Sequence, residues 1–190
     1  MDKKQVIAVL KNGGIGVIPT DTLYGIVGQA LSREAVERIY KVRKRSPDKP
    51  LIILISSPED LELFGIPIDK GPGRVAQRFW PGRVSVIMPC DKPEFEYLHR
   101  GTKTLAFRLP EKKELIEFLK ETGPLVAPSA NLEGEMPSLT IPEAKRYFGG
   151  KVDFYVDEGL IQSEPSTIIQ IIGHKILIIR EGAEKIKILK

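Results

Sequence analysis

Six short apolar runs, each closed by glycine, proline or a polar cluster, do most to limit what this 190-residue chain can fold into. Ile15–Ile18, Leu51–Ile55, Val84–Met88, Thr104–Leu109, Ser166–Ile172 and Lys175–Ile179 have the length of strands, and none approaches the length of a membrane span. Pro124–Ala127 and Val152–Val156 read as two further short strands. Between them apolar residues recur at helical spacing. Val6, Val9 and Leu10 mark a helix over Asp2–Asn12 stopped by Gly13-Gly14, and Val36, Ile39 and Tyr40 form the inward stripe of a helix capped by Ser32 that runs to about Lys44, before Pro47. Ser57-Pro58-Glu59-Asp60 is a helix start. Gly71–Trp80, Glu111–Thr122 and Ile141–Phe148, the last capped by Thr140 with Pro142 in its first turn, are three more helical segments. Leu132–Leu139 reads as a flexible polar segment, and Gly173-His174 suits a two-residue hairpin turn. The alternation predicts an α/β (mixed α+β) fold with a twisted, largely parallel or mixed sheet and flanking helices. With 42% hydrophobic residues the chain can bury one core, so residues 1–190 are expected to form a single domain.

Two polar clusters sit at strand ends, where ligands collect in open α/β sheets. The first is Pro19–Gly25, PTDTLYG, in which Thr20, Asp21, Thr22 and Tyr24 are able to hydrogen-bond a small polar substrate and Gly25 allows close backbone approach. Its alternative reading is a strand-to-helix turn capped by Thr or Asp. The second is Pro128-Ser129-Ala130-Asn131. A basic cluster, Arg33, Arg38, Lys41, Arg43, Lys44, Arg45 and Lys49, faces only Glu34, Glu37 and Asp48. By itself it also fits a solvated cationic helix end. The net charge of +4 suits anionic small molecules or nucleic acid.

Absences narrow the chemistry. The sequence has no Walker phosphate loop, dinucleotide-binding glycine fingerprint, GxSxG elbow or HExxH. His99 and His174 lack spaced Cys or carboxylate partners, which argues against a zinc site, and Trp80 reads as packing. Cys90 stands alone, which excludes an intrachain disulfide and fits a reducing compartment. Met1–Gln5 is charged, so neither secretion signal nor anchor is expected and the cytoplasm is the expected location. Only two asparagines, Asn12 and Asn131, and 28% charged residues lean toward a heat-adapted source. What remains is cations and hydroxyls at element ends: Arg43, Arg45, Lys49, Arg108 and Arg180 with Thr22, Thr104, Ser129, Ser138 and Ser166, an inventory for phosphate and carboxylate binding.

PTDTLYG at 19–25, RKRSPDKPL at 43–51, PSAN at 128–131, STII at 166–169 and IREGA at 179–183, taken together and in this order, resemble the YrdC family, whose closest activity is threonylcarbamoyl-AMP synthesis. The resemblance covers about residues 6–183 and implies a twisted sheet with a concave, positively charged cavity. It implies L-threonine, bicarbonate and ATP as substrates, threonylcarbamoyl-AMP and pyrophosphate as products, and magnesium accompanying ATP with no tightly bound cofactor or protein metal site. By the same resemblance, Thr22, Tyr24, Arg108 and Ser166 hold threonine. Arg45, Lys49, Thr104, Ser129, Ser138 and Arg180 bind the nucleotide, and Arg43, Arg45, Ser129 and Asn131 serve the chemistry. Expected partners are tRNA or double-stranded RNA and a downstream threonylcarbamoyl-transferase; no membrane is involved. The chain departs from the family pattern at Arg43, commonly lysine, at Leu54, often histidine, at Glu133, commonly serine, at Arg83-Val84-Ser85 after Pro81-Gly82, and by one extra residue before Ser138. Two alternatives remain: a paralogue binding nucleotide or RNA without synthase activity, and a non-catalytic RNA-binding module.

Overall fold

The computed structural model describes residues 1–172 and 175–186. The strands are β1 (Gly16–Pro19), β2 (Tyr24–Gln29), β3 (Ile52–Leu54), β4 (Val84–Pro89), β5 (Thr104–Arg108), β6 (Leu125–Val126), β7 (Phe154–Tyr155), β8 (Thr167–Ile172) and β9 (Lys175–Arg180). They form one mixed sheet in the order β7-β1-β2-β6-β3-β5-β4-β8-β9. Five of its eight pairings are antiparallel, so the parallel component is the smaller one. The helices are α1 (Lys3–Lys11), α2 (Arg33–Arg43), α3 (Gly71–Ala76), α4 (Glu96–His99), α5 (Lys113–Thr122) and α6 (Ile141–Phe148), with 3-10 turns at Pro58–Phe64, Pro93–Phe95 and Gly149–Lys151. Among the described residues no helix is long and apolar enough to cross a membrane. The expected turn at Gly173-His174 lies outside the described residues.

Local chemistry sets the boundaries. Asp2 and Gln5 form a reciprocal capping box at the start of α1, Ser32 caps α2 by accepting the Ala35 N–H, and Thr140 caps α6 by accepting the Glu143 N–H. Pro58 and Pro142 occupy first turns, where no amide donor is required.

Two differences from the sequence reading matter. PTDTLYG does not lead into a helix: β1 and β2 are an antiparallel hairpin, with Ile18 opposite Gly25 and Pro19 opposite Tyr24. Gly25 and Gly28 disguise β2, since glycine lowers strand propensity. Packing requires the second of them, because a Cβ on Gly28 would lie 3.0 Å from Ile15 Cγ2 and 3.2 Å from Ala35 and Ile39. The other difference is the one-turn α4, too short for periodicity to reveal, which nonetheless buries Tyr97 and Leu98 in the core.

The sheet is covered unequally. On one face α2, the Pro58–Phe64 turn, α3, α4 and α6 pack over Ile26, Ile53, Phe107, Val86 and Ile169. On the other, α1 and α5 cover Ile18, Val27, Leu54, Leu125 and Phe154, with Ile52, Ala127 and Val156 at the margin, and β4, β5, β8 and β9 contribute nothing to that cluster. The second face is therefore open beyond β3, and Ala106, Ile87, Ile168 and Gln170 are only half-buried there.

The seating of the segment after β9 on β8 depends on Gly182. Its N–H donates to Thr167 Oγ1 (3.1 Å), the Ala183 N–H donates to Pro165 O (2.9 Å), and a Cβ on Gly182 would lie 2.1 Å from Pro165 O. Backbone cannot give way as a flexible side chain does. Gly182→Ala is expected to destabilise by about 1–3 kcal/mol; an unchanged denaturation midpoint would contradict the tight seating of Pro165 and Ser166.

Candidate active site

Two turns meet at the open end of the second face. In the β1–β2 turn, Thr20 is spent on its own backbone: its hydroxyl donates to Leu23 O (2.7 Å) and accepts the Thr22 and Leu23 N–H groups (both 3.2 Å). It builds the turn and has little left for a substrate. The second turn continues β6 along β2, where the Ile26 N–H donates to Pro128 O (3.0 Å), the Ala130 N–H donates to Tyr24 O (2.8 Å), and Ser129 lies opposite Gly25. Asn131 then locks the corner. Its Oδ1 accepts from Ser129 Oγ (2.6 Å) and Arg43 Nη2 (3.1 Å), its carbonyl accepts from Arg43 Nε (3.0 Å), and its Nδ2 donates to Leu132 O (2.7 Å) and Glu135 O (2.9 Å). Ser138, fully buried, donates its hydroxyl and its N–H to Ala130 O (2.6 and 3.1 Å).

The cavity bounded by these turns has a volume of about 160 Å³ and opens to solvent. Thr22, Tyr24, Gly25, Arg43, Arg45, Arg108, Ser129, Ser166 and Arg180 line it, with Leu51, Ile52 and Ile168 as apolar wall. Four of the lining residues are arginines and none is a carboxylate. Main-chain carbonyls orient most of these cations: Asn131 O for Arg43, Lys49 O and Pro50 O for Arg45, Ser166 O for Arg180. A carbonyl fixes a guanidinium without cancelling its charge. Arg43 is buried, and its Nη1 has no partner among the described residues. Burial, and then the like charge of Arg45, lower its pKa to about 10, so it is still charged at neutral pH. The Arg180 guanidinium is lowered in the same way by desolvation and then by Arg108.

Arg108 is different. The sequence reading reserves its fork for a substrate carboxylate; in the structure Nη1 is taken by Asp21, Nη2 lies 3.4 Å from Thr22 Oγ1, and the buried Nε lacks a partner among the described residues. Asp21 in turn accepts the Glu111 N–H (3.2 Å). Asp21 gives the buried Arg108 a resident counter-charge, whereas Arg43, equally buried, is held by neutral oxygens of Asn131. Asp21 is thus a framework residue, which no spacing in the sequence could reveal, because its partner is 87 positions away.

Eight of the expected site residues therefore reach the cavity: Thr22, Tyr24, Arg43, Arg45, Arg108, Ser129, Ser166 and Arg180. Tyr24 is fully buried where it borders the cavity, its ring belongs to the core with Ile26, and its hydroxyl donates to Gly159 O (2.8 Å) and accepts the Glu158 N–H (3.0 Å). Asn131 and Ser138 stand behind the wall as braces. Lys49 is on the rim, paired with Glu133 (2.6 Å). Thr104 does not line the cavity; it lies four residues from Arg108 at the other end of β5, about 13 Å along the strand on the same face. Ser85, seen in the sequence only as a departure, has its buried hydroxyl 2.9 Å from that of Ser166.

Residues 8–182 match the Sua5/YciO/YrdC family, described as "Telomere recombination". The chain belongs to this family. It is similar to the threonylcarbamoyl-AMP synthases of Pyrococcus abyssi, 30% identical over 91% of this chain and 52% of that protein, and of Bacillus subtilis, 32% identical over 82% of this chain and 45% of that protein. The solved structure of P. abyssi Sua5 complexed with L-threonine superposes with a TM-score of 0.84 at 29% identity, over 95% of this chain and 54% of that one. The chain thus spans about half the length of these relatives. Its fold, a mixed sheet with flanking helices, is the Sua5 fold.

Because the Asp21 and Arg108 side chains are 3% and 5% exposed, Asp21→Asn leaves a buried cation unpaired and is expected to cost about 3–5 kcal/mol. Asp21→Asn combined with Arg108→Met should cost less than Asp21→Asn alone. Urea denaturation of the single and double variants reads the difference, and a double variant as destabilised as the sum of both singles would contradict the pairing.

Proposed function

We propose that this domain, centred on residues 6–183, makes threonylcarbamoyl-AMP from L-threonine, bicarbonate and ATP and releases pyrophosphate, supplying a threonylcarbamoyl-transferase that modifies tRNA. The observation that carries the reading is the buried Arg43 guanidinium with an unpartnered Nη1 in a cavity of four arginines and no lining carboxylate. Such a site is built for several anions at once. Family membership and the likeness to a Sua5 solved with L-threonine support the choice of substrates.

Threonine would lie against Thr22, Tyr24 and Ser166, with its carboxylate on Arg108 Nε and Arg180. Bicarbonate would take Arg43 Nη1 beside Ser129. The triphosphate would follow Arg45 toward Lys49, and the adenosine would be held between Ser129, the Ser138 turn, Arg180 and the open face toward Thr104. The threonine nitrogen attacks the carboxyl carbon, water leaves, and a carbamate oxygen then attacks the α-phosphorus as the bond to the β-phosphate oxygen breaks. No side chain forms a covalent intermediate. Arg43 and Arg45 neutralise the charge gathering on the carbamate and phosphates, Asn131 holds Arg43 and Ser129 in register, and positioning supplies the rest. Guanidiniums and hydroxyls are no donor set for a resident metal, so magnesium belongs here to the ATP substrate.

Pyrophosphate release is expected to require both threonine and bicarbonate. Serine should be used less well, by about 1–3 kcal/mol in kcat/KM for the lost methyl. Release that ignores bicarbonate, or equal turnover with glycine, would overturn the assignment. Arg43→Met should lower kcat/KM at least about tenfold, because a charge-assisted hydrogen bond contributes roughly 1.5–3 kcal/mol. Full activity in a folded Arg43→Met protein would remove Arg43 from the chemistry.

A further inference from the structure

The loop that leaves α2 turns sharply at Lys44, a non-glycine residue at φ 51°, and brings Arg45, Ser46 and Lys49 together at the cavity rim. Glu133 fills the space between them. Its backbone is anchored to the end of α2, where its N–H donates to Arg43 O (3.0 Å). One carboxylate oxygen accepts the Ser46 N–H, and the other accepts Lys49 Nζ (2.6 Å). An amide and an ammonium converging on two oxygens of one anion is an arrangement that phosphate also takes.

The fold does not require the carboxylate there. Lys49 is more than half exposed and Ser46 half-buried, so water can satisfy both donors once Glu133 leaves. Arg45 and Pro50, on the same loop, line the cavity, which makes this spot continuous with it.

We propose that the Ser46 amide and the Lys49 ammonium are a subsite for the terminal phosphates of the nucleotide, and that Glu133 is a built-in competitor which the incoming phosphate displaces. The inference rests on the nucleotide-binding part of the function proposed above. Phosphate brings more charge and a third oxygen, so it wins the exchange, but apparent affinity is scaled down to the fraction of molecules in which Glu133 is unseated. Glu133 thereby sets how tightly triphosphate, and the product pyrophosphate, are held.

Calorimetric titration of inorganic tripolyphosphate into wild type, Glu133→Gln, Lys49→Met and the double variant tests this. Glu133→Gln should bind about tenfold more tightly than wild type, and the gain should shrink to about twofold or less in the Lys49→Met background. Glu133→Ser, which removes the carboxylate together with the stem that carries it, should reproduce the gain, and thermal melting checks that each variant is folded. Equal or weaker binding by folded Glu133→Gln and Glu133→Ser overturns the proposal, as does a gain undiminished by Lys49→Met or absence of tripolyphosphate binding in every variant. The titration needs neither threonine nor bicarbonate. If wild type fails to release pyrophosphate with threonine, the synthase reading falls while this comparison still decides the subsite.

Discussion

The antiparallel alignment of residues 24–30 with 124–130 is the constraint on which the cavity depends. Main-chain bonds from Ala30 to Pro124 (2.9 Å), Ile26 to Pro128 (3.0 Å) and Ala130 to Tyr24 (2.8 Å) extend a two-residue strand into a seam that carries both polar turns. A slip of one residue would turn every side chain on one of these strands to the opposite face. It would take Ser129 and Asn131 away from Arg43 and Thr22 away from Arg108. Ala127, whose N–H donates to Ile52 O (2.8 Å), fastens the seam to β3 and so to Arg108 on the neighbouring strand.

Much of the fold is legible in the sequence because its strongest signals are local. Asp2, Ser32 and Thr140 cap helices where a cap is expected, and the long apolar runs all become strands. What escapes is set by tertiary contact. β2 is written with two glycines, and the predominance of antiparallel pairing over parallel follows from how distant strands meet. Gly71–Trp80 fits a longer helix by periodicity than the one that forms, which ends at Ala76 as the chain turns toward β4.

The candidate site divides along the same line. Residue types at strand and helix ends point to the arginines and hydroxyls, and the structure gathers eight of them around one opening. Their division of labour is illegible without coordinates. Thr20 and Asp21 look like ligand-binding groups and serve the framework instead, while the Tyr24 hydroxyl reaches across to residues 158 and 159. Thr104 shares a strand with Arg108, and strand geometry alone separates them.

The guanidiniums of Arg43, Arg45 and Arg180 are aimed by carbonyls of the main chain. Every residue type supplies that acceptor, so at Lys49, Pro50 and Ser166 the path of the main chain, more than the side chain, aims the charge. A site built this way tolerates drift in its surroundings as long as the backbone path is kept, which suits a chain that retains a relative's architecture at 29% identity. Arg108 has the opposite character: its aim depends on the carboxylate of Asp21, so the two positions are free to vary only together.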